Sequence, residues 1–262
     1  MSPSSYLFGM KSTVCKSNNW FIILLLLGGV TPALTVSKAL LSRCGNDVDC
    51  IIRRHTEAIG GRDTLLALKT ISRVGTIEFF KNSTQTGPEG KFLYHTDIIY
   101  PHNLREELKN TNILIDRGTN GEKYWEWTGS KYEAIVAPEK QKSMNETAER
   151  ANRDLLWIRD EISNLRVTER SPAWAADSTC LEGIKEHAPI FVCFDKESGL
   201  LSAKGNDEEY RVFSHWTRAK AILLPFRLSH FRKAKLAYEI VLSLAQVDEV
   251  IDPLRFLPPH PF

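Results

Sequence analysis

The chain has 262 residues, of which 42% are hydrophobic and 25% charged, with 15 Gly and 12 Pro; this is the make-up of a globular protein, not of a disordered, collagen-like or polytopic membrane chain. Lys and Arg number 34 against 32 Asp and Glu, and the first 33 residues contribute Lys11 and Lys16 but no acid, so the remainder is balanced. A balanced domain offers no cation surplus for a phosphate backbone, which argues against nucleic-acid binding.

In chain order, the first feature is the uncharged run Phe-Ile-Ile-Leu-Leu-Leu-Leu-Gly-Gly-Val at 21–30, preceded by two lysines and followed by Thr31-Pro32-Ala33. This is the layout of a secretory signal peptide. Even with Trp20 the run is short of the roughly 20 apolar residues that span a bilayer. Residues 1–33 are therefore expected to be a cleaved leader, with Met10 as an alternative start, and 34–262 a single exported domain, periplasmic or secreted. Cys15 leaves with the leader, so Cys44, Cys50, Cys180 and Cys193 remain. Four cysteines in an oxidising compartment allow three pairings. Residues 180–182 and 191–193 read as arms of a hairpin, which would set Cys180 opposite Cys193 and leave Cys44 with Cys50. No Cys-x-x-Cys and no His pair has metal-ligand spacing, so neither metal nor cofactor is expected. Arg43 occupies a position where a lipobox needs a small residue.

Residues 47–59 carry Val48, Ile51, His55 and Ile59 at helical spacing, ended by Gly60-Gly61, and a second short helix is expected at 63–68. Strands follow at 71–80, 92–100, 103–109, 113–116, 123–127 and 132–136, separated by turn-formers at the spacing of an antiparallel meander. From Pro138 the pattern changes. Met144, Ala148, Ala151, Leu155, Ile158 and Ile162 make one apolar stripe on a helix or on two in tandem. Strands resume at 165–168, 180–184, 190–194, 200–204, 210–213, 222–230 and 236–247, before an irregular, proline-rich tail. In the last strand Tyr238, Ile240, Leu242 and Leu244 alternate with Val241, Ala245 and Val247, so the sheet is expected to need cover on both faces. The fold class is mainly β with helices (α+β): a strongly curved antiparallel sheet, an unclosed barrel, wrapped around the leading helix and the insertion.

Several phrases in order resemble the LolA/LolB-like superfamily and its lipoprotein-sorting relatives. They are His55-Thr56-Glu57-Ala58-Ile59-Gly60-Gly61, Tyr100-Pro101-His102-Asn103-Leu104-Arg105, Ile113 to Asp116, Asn120-Gly121 with Trp125 and Trp127, the run from Phe194 to Leu201, Ala221 to Pro225, and the close Val247-Asp248 with Asp252-Pro253. The resemblance implies a half-barrel whose cavity holds acyl chains of lipoproteins or lipids under a helical lid. In the carrier an Arg before the Pro latches that lid, and here the position is Tyr100; Asn120 stands where an Asp usually opens the turn.

On this reading the cavity-lining candidates are Phe79, Tyr100, Trp125, Trp127, Met144, Ala148 and Leu155. Trp125 and Trp127 share a parity and so line the hollow together or not at all. Arg227, Arg232, Lys233 and Lys235 concentrate charge at a hairpin tip and could dock on an anionic membrane surface or an envelope partner. His95 and Asp97 share a strand face and could pair as base and orienter, but no catalytic constellation is evident. Ser214-His215 and Ser229-His230 are adjacent, which in a regular strand points them apart. The expected function is a monomeric carrier or chaperone of acylated or other hydrophobic molecules. The alternatives are an enzyme acting by substrate positioning in the same cavity, or an envelope protein with a filled core. The light amino half of the 138–165 segment suggests a movable cover, and without the family's arginine it should be held by packing alone.

Overall fold

The computed structural model describes residues 44–81, 89–128, 131–133 and 138–258, all within one compact unit, Ser37–Phe262. The expected leader lies outside the described residues, as do the turns at 87–88 and 129–130 and the end of the sixth expected strand. Among the described residues no helix is long and apolar enough to cross a membrane.

Among the described residues thirteen strands form one antiparallel sheet. The first set is β1 (Thr70–Phe79), β2 (Gly90–Ile99), β3 (Asn103–Lys109), β4 (Leu114–Asn120), β5 (Tyr124–Thr128) and β6 (Lys131–Glu133). The second is β7 (Ser163–Val167), β8 (Ser178–Lys185), β9 (Ala188–Asp195), β10 (Leu201–Gly205), β11 (Glu209–Ala219), β12 (Ile222–Arg232) and β13 (Lys235–Val247). The spatial order is β6-β5-β4-β3-β2-β1-β13-β12-β11-β10-β9-β8-β7. The chain thus walks from the centre to one edge, crosses to the other edge, and walks back until β13 pairs with β1. The crossing is made by α3 (Pro138–Arg150), a 3-10 turn (Asp154–Trp157) and α4 (Ile158–Glu161). The apolar stripe read from the sequence is therefore one face of two pieces, broken where Asn152 takes a positive φ of 60°.

The sheet is bent rather than flat. At Gly75 the register with β13 shifts, and a Cβ there would collide with the Val241 carbonyl oxygen, so only glycine permits this approach. The same bulge changes the parity of β13. Tyr238, Ile240, Leu242, Ala245 and Val247 face the hollow with Ile71, Arg73, Ile77 and Phe79, while Val241 and Leu244 face out with Thr76 and Val74. The expectation of cover on both faces is thus corrected, since Val74, Leu93, Val241 and Leu244 are exposed on the convex side.

Two helices enter from the amino end, α1 (Val48–Ala58) and α2 (Arg62–Ala67). Asp47 caps α1 by accepting from the Cys50 amide at 3.1 Å. Gly60 follows at φ 134°, and a Cβ on it would lie 2.8 Å from the Ala221 carbonyl oxygen. That close approach lets the Leu223 amide reach the Ile59 carbonyl and fixes α1 to β12. Ile51 of α1 packs with Leu155, Ile158, Ile162, Leu181, Val192 and Phe194 under one half of the sheet. Ala148 of α3 packs on Ile98 and Leu104 under the other. Both expected disulfides are present: Cys180 and Cys193 sit opposite each other in the β8–β9 ladder with Cα atoms 4.0 Å apart, and Cys44 joins Cys50. The β8–β9 staple closes a short loop and contributes about 3 kcal/mol on a chain-entropy argument.

The tail is not wholly irregular. Asp252 caps a 3-10 turn, Pro253–Phe256, and Phe256 is fully buried against the convex side of β3 and β4.

Candidate functional site

Between the two packed clusters the hollow holds a cavity of about 740 Å³, within the range of pockets that take small ligands. Its floor comes from β1–β3 and β8–β13. Its roof comes from α1, α3 and the turn at Ala151–Leu156. Ile98, Leu104, Leu155, Leu156, Trp216 and Leu223 give it an apolar side.

Of the seven residues expected to line it, Leu155 does. Ala148, Met144 and Tyr100 pack instead in the cluster under α3 with Ile98 and Leu104, where the helical crossover rests on the sheet. Phe79 faces the hollow but lies behind Tyr238, at a ring-centroid distance of 5.7 Å, outside the wall. Trp125 and Trp127 face the other way. Their cross-strand rows are Ser72–Asp97–Arg105–Gly118–Trp125 and His95–Glu107–Asp116–Trp127, both on the convex surface. Trp125 is buried there beneath the Arg105 guanidinium at 5.7 Å. Parity alone left the choice of face open, and the adjacent row of Arg117 and Glu126 took the concave side.

Tyr100 is the second correction. Its hydroxyl donates to the Ala151 carbonyl at 2.5 Å, and the Arg153 guanidinium lies 3.7 Å over its ring while donating to the Leu66 and Leu68 carbonyls. The helical crossover is therefore not held by packing alone; the arginine of this contact comes from the crossover itself. Asn145 adds bonds to Thr119 and the Gly121 carbonyl, and Glu161 joins Arg150 to Lys185. Asn120 does what an Asp would, accepting from the Glu122 and Lys123 amides.

His55 stands in the roof between Phe194 and Trp216, nearly fully buried. Its Nδ1 accepts from the Leu201 amide at 3.1 Å. Burial lowers its pKa to about 4, so the ring is neutral. It pins α1 to the β9–β10 turn.

His95 and Asp97 do pair, at 3.0 Å, but on the convex face and inside a larger network. His95 Nδ1 lies 3.3 Å from Glu107, Arg255 bridges Asp97 at 2.7 Å and Glu107 at 2.9 Å, and Arg105 grips Asp116 through two bonds of 3.0 and 2.7 Å. Hydrogen bonds to Asp97 and Glu107 push the His95 pKa up to about 9. An imidazolium with both nitrogens facing carboxylates has no lone pair for Ser72, whose hydroxyl is 3.3 Å away, so it is no base. The network instead fastens the tail, because Arg105 also donates to the Arg255 carbonyl.

Ser214 and His215 meet at 3.1 Å, against the expectation for a regular strand, because His215 takes a φ of 54° and drops out of the ladder with β12. The pair is exposed. In the charged hairpin Arg227 is held by Glu239 at 2.9 and 3.0 Å and Arg232 by Glu209 at 3.3 Å, which leaves Lys233 and Lys235 as the exposed cations of the tip.

Residues that sequence reasoning missed are the polar ones inside the hollow: Arg73, Tyr94, Glu106, Arg211 and Tyr238 all line the cavity. A signal existed, since Arg73 shares its parity with Ile71, Ile77 and Phe79.

No family model matches the chain, and no curated protein matches it. Solved structures do. A DUF1329 family protein from Desulfovibrio piger is 11% identical with a TM-score of 0.52, over 80% of this chain and 97% of that one. The fold is shared. A LolA superfamily protein from Nitrosomonas europaea superposes over the same shares at 11% identity with a TM-score of 0.49. The unclosed antiparallel sheet with helices on its concave face, expected from the sequence, is the architecture this chain has.

Proposed function

We propose that the protein is an exported carrier or chaperone that holds an acylated or otherwise hydrophobic molecule in the hollow of its sheet. The observation that carries this reading is the cavity of about 740 Å³ between the sheet and its helical crossover. Such a space, open toward solvent, leaves the hollow unfilled by the protein's own side chains and of the size that ligand pockets have. Two disulfides fit an exported, oxidising location. The solvent-facing lysines of the β12–β13 tip, Lys233 and Lys235, are the part of the hairpin patch available to an anionic membrane surface.

Native mass spectrometry of the protein purified from its own host tests the reading. The expected result is a mass above that of the chain, lost on organic extraction, with a lipid in the extract. A chain of unmodified mass that also binds no added dodecyl compound would overturn it. An enzyme working by positioning is the second reading, favoured by the polar side chains that converge in the cavity; turnover of a bound amphiphile, rather than its retention, would select it.

A further inference from the structure

Across the concave face runs a row of polar residues set by strand register: Arg73 on β1 opposes Thr96 on β2, which opposes Glu106 on β3, which opposes Arg117 on β4. The rows on either side are apolar, Ile71–Ile98–Leu104 and Gly75–Tyr94–Leu108. A charge placed between apolar rows at the wall of a cavity needs a partner, because an unpaired buried ionic group is costly. Glu106 has one in Arg117 at 2.7 Å. Arg73 does not. Its Nε is buried without a hydrogen-bond acceptor, and among the described residues no carboxylate lies within ion-pair distance of it.

Two further carboxylates of the wall are engaged elsewhere. Glu161 is taken by Arg150 and Lys185, and Glu209 by His230 and Arg232. Glu146, on α3, lines the cavity, and among the described residues no ion pair joins it to Arg73. Two phenols share the region. Tyr94 senses the charge of Arg73, and Tyr238 hydrogen-bonds Arg211; burial pushes both hydroxyls up from their ordinary range, so they stay protonated and can donate.

We propose that Arg73 is the charge anchor for the head group of an amphiphilic ligand, and that the ligand is a long-chain carboxylate rather than a neutral acyl ester. The guanidinium fork matches a carboxylate, and the tyrosine hydroxyls complete its shell. Glu106, one strand beyond Thr96, disfavours a dianionic head more than a singly charged one. The tail then lies along Ile98, Leu104, Leu155, Leu156 and Leu223, the apolar side of the same cavity. The inference rests on the carrier reading and adds the class of ligand to it.

Calorimetry with the full exported chain and three probes of equal length tests it: dodecanoate, dodecan-1-ol and dodecyl phosphate. Dodecanoate is expected to bind at least about tenfold tighter than the alcohol, the scale of one charge-assisted hydrogen bond, and tighter than the phosphate. Arg73→Met should abolish the preference without weakening the alcohol, and Arg73→Lys should restore part of it. Equal affinity of acid and alcohol for the native protein overturns the anchor and leaves the carrier standing. Preference for the phosphate overturns the choice of head group. Binding of none of the three overturns the carrier reading as well. The comparison on the native chain decides the matter even if a variant fails to fold.

Discussion

Strand β2 serves two faces that treat charge in opposite ways. On the convex side His95 and Asp97 join Glu107, Arg105, Asp116 and Arg255 in a network where each carboxylate meets a cation. On the concave side Tyr94 and Thr96 adjoin Arg73, whose buried Nε meets nothing. The first arrangement pairs each of these charges with an opposite one without a ligand, and holds the tail in place. The second leaves Arg73 without an anion. Satisfied charge fixes structure, and unsatisfied charge in a cavity points to what the cavity takes.

The comparison can be broken most directly by removing one arginine from each face. Arg105→Met should lower stability by about 3–5 kcal/mol, because it strands the buried Asp116, whose pKa burial already raises against the pull of Arg105. Arg73→Met should cost less than about 1 kcal/mol in ligand-free protein, since no partner is lost. Urea unfolding of both variants measures this, and equal losses would erase the distinction between the faces.

Acidity sharpens it next. The His95 pKa rises from 6.5 to about 9 through Asp97 and Glu107, so its stabilisation is fully present below pH 6.5 and is lost as pH climbs through 9. Ser72 and Arg255 also face this ring, the latter opposing its charge. The His55 pKa falls to about 4 through burial, so the unfolded chain takes up a proton first and stability drops as pH falls below 6.5 toward 4. Each effect is worth up to about 3 kcal/mol. Denaturation midpoints from pH 4 to 10 should peak near pH 6.5; His95→Gln should flatten the alkaline limb alone and His55→Gln the acid limb alone. A profile unchanged by either variant would refute these assignments.

The smallest expected effect concerns the lid. Its helix α3 buries only Ala148, so amides at 143–153 should exchange faster than those of β13, and Tyr100→Phe should speed them further by about 1 kcal/mol of lost hydrogen bonding. Added dodecanoate should slow them. Equal protection of both segments, unaffected by ligand, would make the crossover a fixed part of the wall.

Periodicity and turn chemistry were enough to place most elements. Asp47 and Gly60-Gly61 bound α1, the 103–109 run is β3 to the residue, and the hairpin from Cys180 to Cys193 aligns the two cysteines. These depend on interactions among near neighbours in the chain, so the sequence by itself determined them. It also determined that Trp125 and Trp127 act together, because pleating alternates side chains. Which face they occupy was decided only by the folded sheet, through the row of Arg117 and Glu126 against that of Asp116 and Arg105. The bulge beside Gly75 likewise turned Leu244 outward and Ala245 inward, an offset that no alternation pattern contains. The site itself arose at that level: Arg73 and Tyr94 lie more than a hundred residues before Arg211 and Tyr238 in sequence, and all four share one cavity. The closing of the sheet by β1 and β13 brings them together, since the last strand can pair with the first only after the crossover has carried the chain to the opposite edge.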